Sequence, residues 1–312
     1  MIGVTPNDMK WYLPLILQIA LSNIAVPLLL KGKVATRNTK QRFMLFYVVC
    51  FGLTTLPLFA LGKMPISSAL VAPFLIGTIV ALGNYAFWQA TRMNLSATSL
   101  FLIINSILPL IFEQIWLREH ARLSGLMLSG ILLSVGAIGV FALYQRYGKK
   151  KRKGEPKERL PPSFFLYAGT FAVCFGISNF LVRVFALRSL PTEVFIGAWY
   201  AGTFFSSLLI TLVLRMRTRE DGTAEKTLSM NTVFVALLAI TTILSVLVTF
   251  WTLHLAPLAV MSPIILVASV ICPIVMGLFI FKENKHYDTT EWILFAAALT
   301  GSLLIALNFS QE

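Results

Sequence analysis

The sequence predicts an all-α membrane protein: ten transmembrane helices arranged as two inverted five-helix repeats. Three observations carry this. The 312 residues are 57% hydrophobic and only 12% charged, with a mean hydropathy of +0.80, more apolar surface than one water-soluble core hides. Apolar runs of about 20 residues, the length that crosses a bilayer, recur along the chain. The stretch 77 to 143 returns, altered, at 240 to 307: Phe87, Trp88 and Ser99 reappear at an offset of 163 as Phe250, Trp251 and Ser262, and Pro109 and Glu119 at an offset of 164 as Pro273 and Glu283. Gly136 in the first copy answers to Gly301 in the second.

Taken in order, the first apolar run, 11 to 30, is too long for a cleavable signal peptide and follows too polar a start, so it reads as a retained span. Further spans are expected at 43 to 61, 69 to 91, 97 to 117 and 124 to 144, which complete a first half over 1 to 144. Residues 145 to 163 (QRYGKKKRKGEPKERLPPS) form a basic connector, too charged and too rich in Pro to pack, and read as a solvated cytoplasmic loop or a lipid-surface patch. The second half, 164 to 312, holds spans at 164 to 187, 193 to 214, 232 to 255, 260 to 281 and 291 to 307. All are read as helices, since lipid leaves every backbone group to be satisfied within its own span.

The net charge of +13 does not mark a nucleic-acid binder, because the Lys and Arg fall in loops between apolar runs. Those loops set orientation. Loops after the odd-numbered spans hold 20 Lys or Arg and the opposite side holds 5, which puts the connector in the cytoplasm and both termini outside. The starts of the halves also repeat: Leu21, Ser22 and Asn23 match Ile177, Ser178 and Asn179 at an offset of 156. With five spans per half, the second copy faces the other way across the bilayer.

These residues resemble a known family. Phe175, Gly176 and Asn179, then Ser106, Pro109 and Glu119 and again Pro273 and Glu283, each set followed by a Gly-bearing closing span, look like the EamA-type repeat of the drug/metabolite transporter superfamily. The resemblance covers nearly the whole chain, twice. It implies a ten-helix transporter of small metabolites, often an exporter, with a central cavity lined by spans 1, 3, 4, 6, 8 and 9. The family's Gly before the helix-terminal Glu is Arg118 in the first copy and Lys282 in the second, and its members usually keep both termini in the cytoplasm.

Polar side chains at mid-membrane are costly to leave in lipid, so they are the candidates for solute contact. Span 1 offers Gln18, Ser22 and Asn23; span 3 offers Asn84, Trp88 and Gln89. In span 4, Asn105, Pro109 and Glu113 share one stripe. Glu113 reads as a site for a coupling proton or cation, or as the structural partner of a basic residue. Asn179 and Arg183 share a face of span 6; Arg183 either reaches the membrane surface or pairs inward with Glu113 or a solute carboxylate. Span 7 adds Trp199 and Tyr200, and span 8 adds Trp251 and His254 beside a stripe of Thr242, Ser245, Thr249 and Thr252 that also suits helix–helix packing. Trp88 and Trp251 read either as an interfacial aromatic belt or as a pair at a cavity mouth.

Cys50, Cys174 and Cys272 sit in apolar runs without metal-ligand spacing, and His120, His254 and His286 belong to no metal motif. No nucleophile elbow or phosphate loop occurs, so neither enzyme chemistry nor a cofactor is expected. The expectation is a secondary transporter, an exporter of a small polar or amphipathic metabolite such as an amino acid, working by alternating access as a monomer or homodimer in a bacterial inner (plasma) membrane. The alternative is a non-transporting scaffold or sensor that retains the fold.

Overall fold

In the computed structural model the described residues are 12–35, 39–64, 67–112, 115, 124–148, 159–186, 191–217, 228–255 and 258–309. Among them the secondary structure is helical throughout. In chain order the apolar helices are α1 (Tyr12–Val34), α2 (Thr39–Ala60), α3 (Val71–Met93), α4 (Leu95–Phe112), α5 (Gly125–Gly148), α6 (Pro162–Ala186), α7 (Thr192–Arg217), α8 (Leu228–Leu255), α9 (Leu258–Val275) and α10 (Thr289–Phe309).

Eight of these are long and apolar enough to cross a membrane. The runs expected at 97 to 117 and 260 to 281 appear among the described residues as shorter apolar helices, Leu95–Pro109 and Ile264–Ile280. The molecule is an integral multi-pass membrane protein, and its outer surface agrees. On α8, Val233, Leu237, Ile240, Leu244, Leu247, Trp251 and Leu255 are all exposed, recurring every three or four residues as one continuous apolar stripe. Water would make such a stripe an aggregation site; lipid makes it the ordinary outer face of a span.

Helix ends follow from local chemistry. Ser124 caps α5 by accepting from the Met127 amide at 3.2 Å. At α10, the Asp288 carboxylate accepts from the Glu291 amide at 3.0 Å, and Glu291 accepts from the Asp288 amide at 2.7 Å, a reciprocal capping box. Pro162 opens α6, where its missing N–H would have had no partner.

Packing is set largely by glycine. A Cβ on Gly77 would lie 2.1 Å from the Trp199 carbonyl oxygen and one on Gly202 2.0 Å from that of Phe74, so α3 and α7 touch backbone to backbone. Gly83 lets α3 meet Phe175 of α6, and Gly176 lets α6 meet Leu108 of α4. The α5–α10 crossing rests on Gly130 and Gly301, each of whose Cβ atoms would be 2.7 Å from the other's carbonyl oxygen, with Ser134 donating to the Ala298 carbonyl at 3.3 Å. The counterpart that the repeat gives Gly301, Gly136, has open space around it and takes no part in this crossing.

The main helix pairs are α5–α10, α3–α7, α3–α6, α2–α7, α4–α6, α4–α9, α9–α10, α2–α8 and α1–α8, and α1 also rests on α9. One core joins α3, α4, α5, α6, α9 and α10, and a second joins the end of α1 to α2, α3, α7 and α8.

Candidate functional site

Three groups of polar side chains lie along the middle of the helices. The first is on α1, which is not the uninterrupted α-helix that its apolar run suggests. Residues Ala20–Ala25 form a π turn, closed by the Val26 amide donating to the Leu21 carbonyl. Pro27 accounts for the widening: it has no N–H for the carbonyl one turn back, so the ladder loosens there. Ser22 donates its hydroxyl to the Gln18 carbonyl at 2.6 Å across this turn. Gln18 is 5% exposed and Asn23 8%. Yet Gln18 Oε1 and Asn23 Nδ2 have no hydrogen-bond partner among the described residues.

The second group bridges α4 and α6, where Asn179 Nδ2 donates to Asn105 Oδ1 at 2.9 Å. Asn179 is exposed although it lies well inside an apolar helix. The third bridges α2 and α3: Asn84 Nδ2 donates to the Tyr47 hydroxyl at 2.6 Å, and buried Gln89 donates to the Tyr85 oxygen one turn back.

The remaining candidates divide. Trp88 is 3% exposed and packs edge-on against Phe43 and Phe46. Tyr200 belongs to the same core, and its neighbour Trp199 lies parallel to it. These rings fill the space between helices. Trp251 is 51% exposed and belongs to the outward apolar stripe of α8, so the two repeat-related tryptophans do not meet at a cavity mouth. Turning Trp251 inward would turn the leucines of that stripe with it. The hydroxyls of Thr242, Thr249 and Thr252 are spent on carbonyls one turn back in α8, at 2.8, 2.8 and 2.6 Å. Glu113 lies outside the described residues, as do the side chains of Arg183 and His254.

A further polar network, absent from the sequence-based expectation, closes the end of the molecule that carries the basic loops. Glu283, just past α9, caps the start of α4. Its carboxylate accepts from the amides of Leu95 and Ser96, both at 2.8 Å, and from the Ser96 hydroxyl at 2.6 Å. Lys31 at the end of α1 pairs with the same carboxylate and donates to the Thr91 carbonyl at 3.2 Å. A helix N-terminus presents unpaired N–H groups and positive potential, so a carboxylate is its natural partner. Gly277 makes room: a Cβ there would be 2.1 Å from Ser96 Oγ and 2.6 Å from Glu283 Oε2. Asn94 completes the cap, accepting from the Ala97 amide at 2.8 Å and from the Tyr287 hydroxyl at 2.6 Å. Burial, and then the Glu283 carboxylate, push the Tyr287 phenol well above its ordinary range, which keeps it a neutral donor. Beside this network a cavity of about 400 Å³ opens, lined in part by Lys31, Asn94, Gln145, Arg159, Glu283 and Tyr287. Its walls are tied together: Gln145 donates to Glu291, and the Leu160 amide donates to Gln145 at 3.3 Å.

From sequence alone the helix-end position of Glu283 suits either snorkelling to the membrane surface or loop capping, and does not say which helix it caps. Asn94 ahead of an apolar run was the available signal for the start of α4. Compared with protein families and with curated proteins, the chain matches none.

Proposed function

We propose that the protein is a secondary transporter built from two inverted five-helix halves, in which α4 and α9 complete ten spans, and that it moves a small polar metabolite by alternating access. The observation that carries this reading is the pattern of helix packing. Exchanging each helix of the first half for its counterpart in the second turns α3–α6 into α8–α1, α3–α7 into α8–α2, and α4–α6 into α9–α1, and every one of these pairs is in contact. The pairs α5–α10, α2–α7 and α4–α9 map onto themselves. Such an interchange is expected of a chain whose halves are related by an axis in the membrane plane.

The interchange is also uneven. The contacts α3–α7 and α4–α6 are more extensive than α8–α2 and α9–α1. Two halves of one fold in unequal arrangements are what alternating access requires, since exchanging the two arrangements moves the opening from one membrane face to the other. The exposed Asn179 and the Glu283 network support an opening on one side and closure at the basic end. The resemblance to EamA-type repeats agrees with this reading, which places the protein in a bacterial inner membrane. The test is flux: purified protein in liposomes should move at least one member of a panel of labelled polar metabolites faster than protein-free liposomes. Identical rates for every member would overturn the reading.

A further inference from the structure

At the Ala20–Ala25 π turn of α1 and just before it, two side chains of opposite hydrogen-bonding sense are buried with no partner among the described residues, and this bears on what the protein binds. Gln18 and Asn23 are five residues apart. On a regular α-helix that spacing separates side-chain directions by about 140°; Gln18 ends the α-helical part and Asn23 lies in the wider π turn that follows, which narrows that separation. Both are more than nine-tenths buried, and one acceptor, Gln18 Oε1, and one donor, Asn23 Nδ2, are unsatisfied. Leaving a buried polar atom unpaired costs about 1–3 kcal/mol each, so the pair calls for a partner that the described residues do not supply.

The repeat shows what is missing. Asn179, the counterpart of Asn23, has Asn105 of α4 as its acceptor. On the α9 side the position answering to Asn105 is Ala268 or Ser269, depending on where the one inserted residue falls, and the Ser269 hydroxyl is turned back to the Leu266 carbonyl at 2.8 Å. Asn23 therefore meets no amide across α1–α9.

The charge of the missing partner follows from the surroundings. The turn packs against α8 and α9. Residues 12 to 30 of α1, all of α8 and all of α9 contain no Asp, Glu, Lys or Arg. A carboxylate or ammonium placed there would lose its hydration without gaining a counter-charge from these helices. An uncharged group with a C=O acceptor next to an N–H donor would satisfy both side chains at once. We propose that the α1 turn recognises the amide edge of an uncharged solute, the group shared by carboxamides, lactams and nucleobase-like rings. This rests on the transport reading for its role but not for its binding chemistry.

The experiment measures binding to the purified full chain in nanodiscs, separately from flux, with three matched pairs of probes: acetamide and acetate, nicotinamide and nicotinate, uracil and orotate. At neutral pH at least one amide should raise the unfolding temperature in a saturable way and its acid partner should not. Gln18→Leu and Asn23→Leu should each weaken that binding about tenfold, the loss of one neutral hydrogen bond. Both variants should keep or raise the unfolding temperature without ligand, because each removes an unpaired buried group. A lower ligand-free unfolding temperature with unchanged amide binding would overturn the proposal and make the amides structural, joined by buried water. Stabilisation by the acids and not the amides would also overturn it. Amide binding without flux of any solute would leave this inference standing and remove the transport reading; flux without amide binding would do the reverse.

Discussion

Lys282 is the only non-glycine residue with a positive φ among the described residues, at φ 56° and ψ 32°. The left-handed region brings Cβ close to the following carbonyl oxygen and costs an ordinary residue about 1–2 kcal/mol. The chain turns there so that Glu283 points back at α4. Because Lys282 is exposed, replacing it disturbs little else. Lys282→Gly should stabilise the protein by about 1 kcal/mol, seen as a higher midpoint in thermal unfolding; a lower midpoint would show that the lysine side chain holds the turn. Gly277→Ala should do the opposite. Its methyl would sit inside contact distance of both Ser96 and Glu283, and overpacking of this kind costs about 1–3 kcal/mol.

At the scale of elements, the link between the α9–α10 turn and the start of α4 is a carboxylate with four donors, and its members are not equivalent. Removing Glu283 strands Lys31 and leaves the first amides of α4 unpaired, whereas removing Lys31 leaves Glu283 held by Leu95 and Ser96. Glu283→Ala should therefore destabilise by about 3 kcal/mol and Lys31→Met by about 1, as read by denaturation in a mild detergent. Equal losses would mean that the ion pair and not the helix cap holds the turn. This element also shows how far a linear pattern reaches. The apolar runs located the helices to within a few residues, because hydrophobic length is written directly in the chain. The π turn was hidden, since Pro27 and Asn23 are compatible with either helix geometry and only the pairing of backbone groups decides. The outward face of Trp251 was hidden as well: matching positions in two copies fixes an equivalence of sequence, while burial depends on which neighbours each copy meets. Of the candidate site, the polar residues were legible and their partners were not, because Asn105 and Asn179, or Glu283 and Ser96, are distant in sequence and joined only by folding.

For the whole molecule, the α3–α7 contact is more extensive than the α2–α8 contact. The proposed alternating access would require α3–α7 to loosen in turn. A background without Cys50, Cys174 and Cys272 that carries Thr78→Cys and Ser206→Cys, neighbours across that contact, should lose flux when a short cleavable thiol reagent joins the pair and regain it when the link is cut. Undiminished flux in the linked protein would place the motion elsewhere. The α5–α10 crossing behaves differently. It maps onto itself when the halves are exchanged, and its Gly130 and Gly301 backbones are already in contact, so the proposed rocking of the halves would leave it in place. A contact that persists through the cycle can do the work of a covalent tether. Made as two separate polypeptides, residues 1 to 154 and 155 to 312, the protein should assemble in the membrane and purify as a complex through a tag on either fragment, and Gly301→Leu should abolish that recovery.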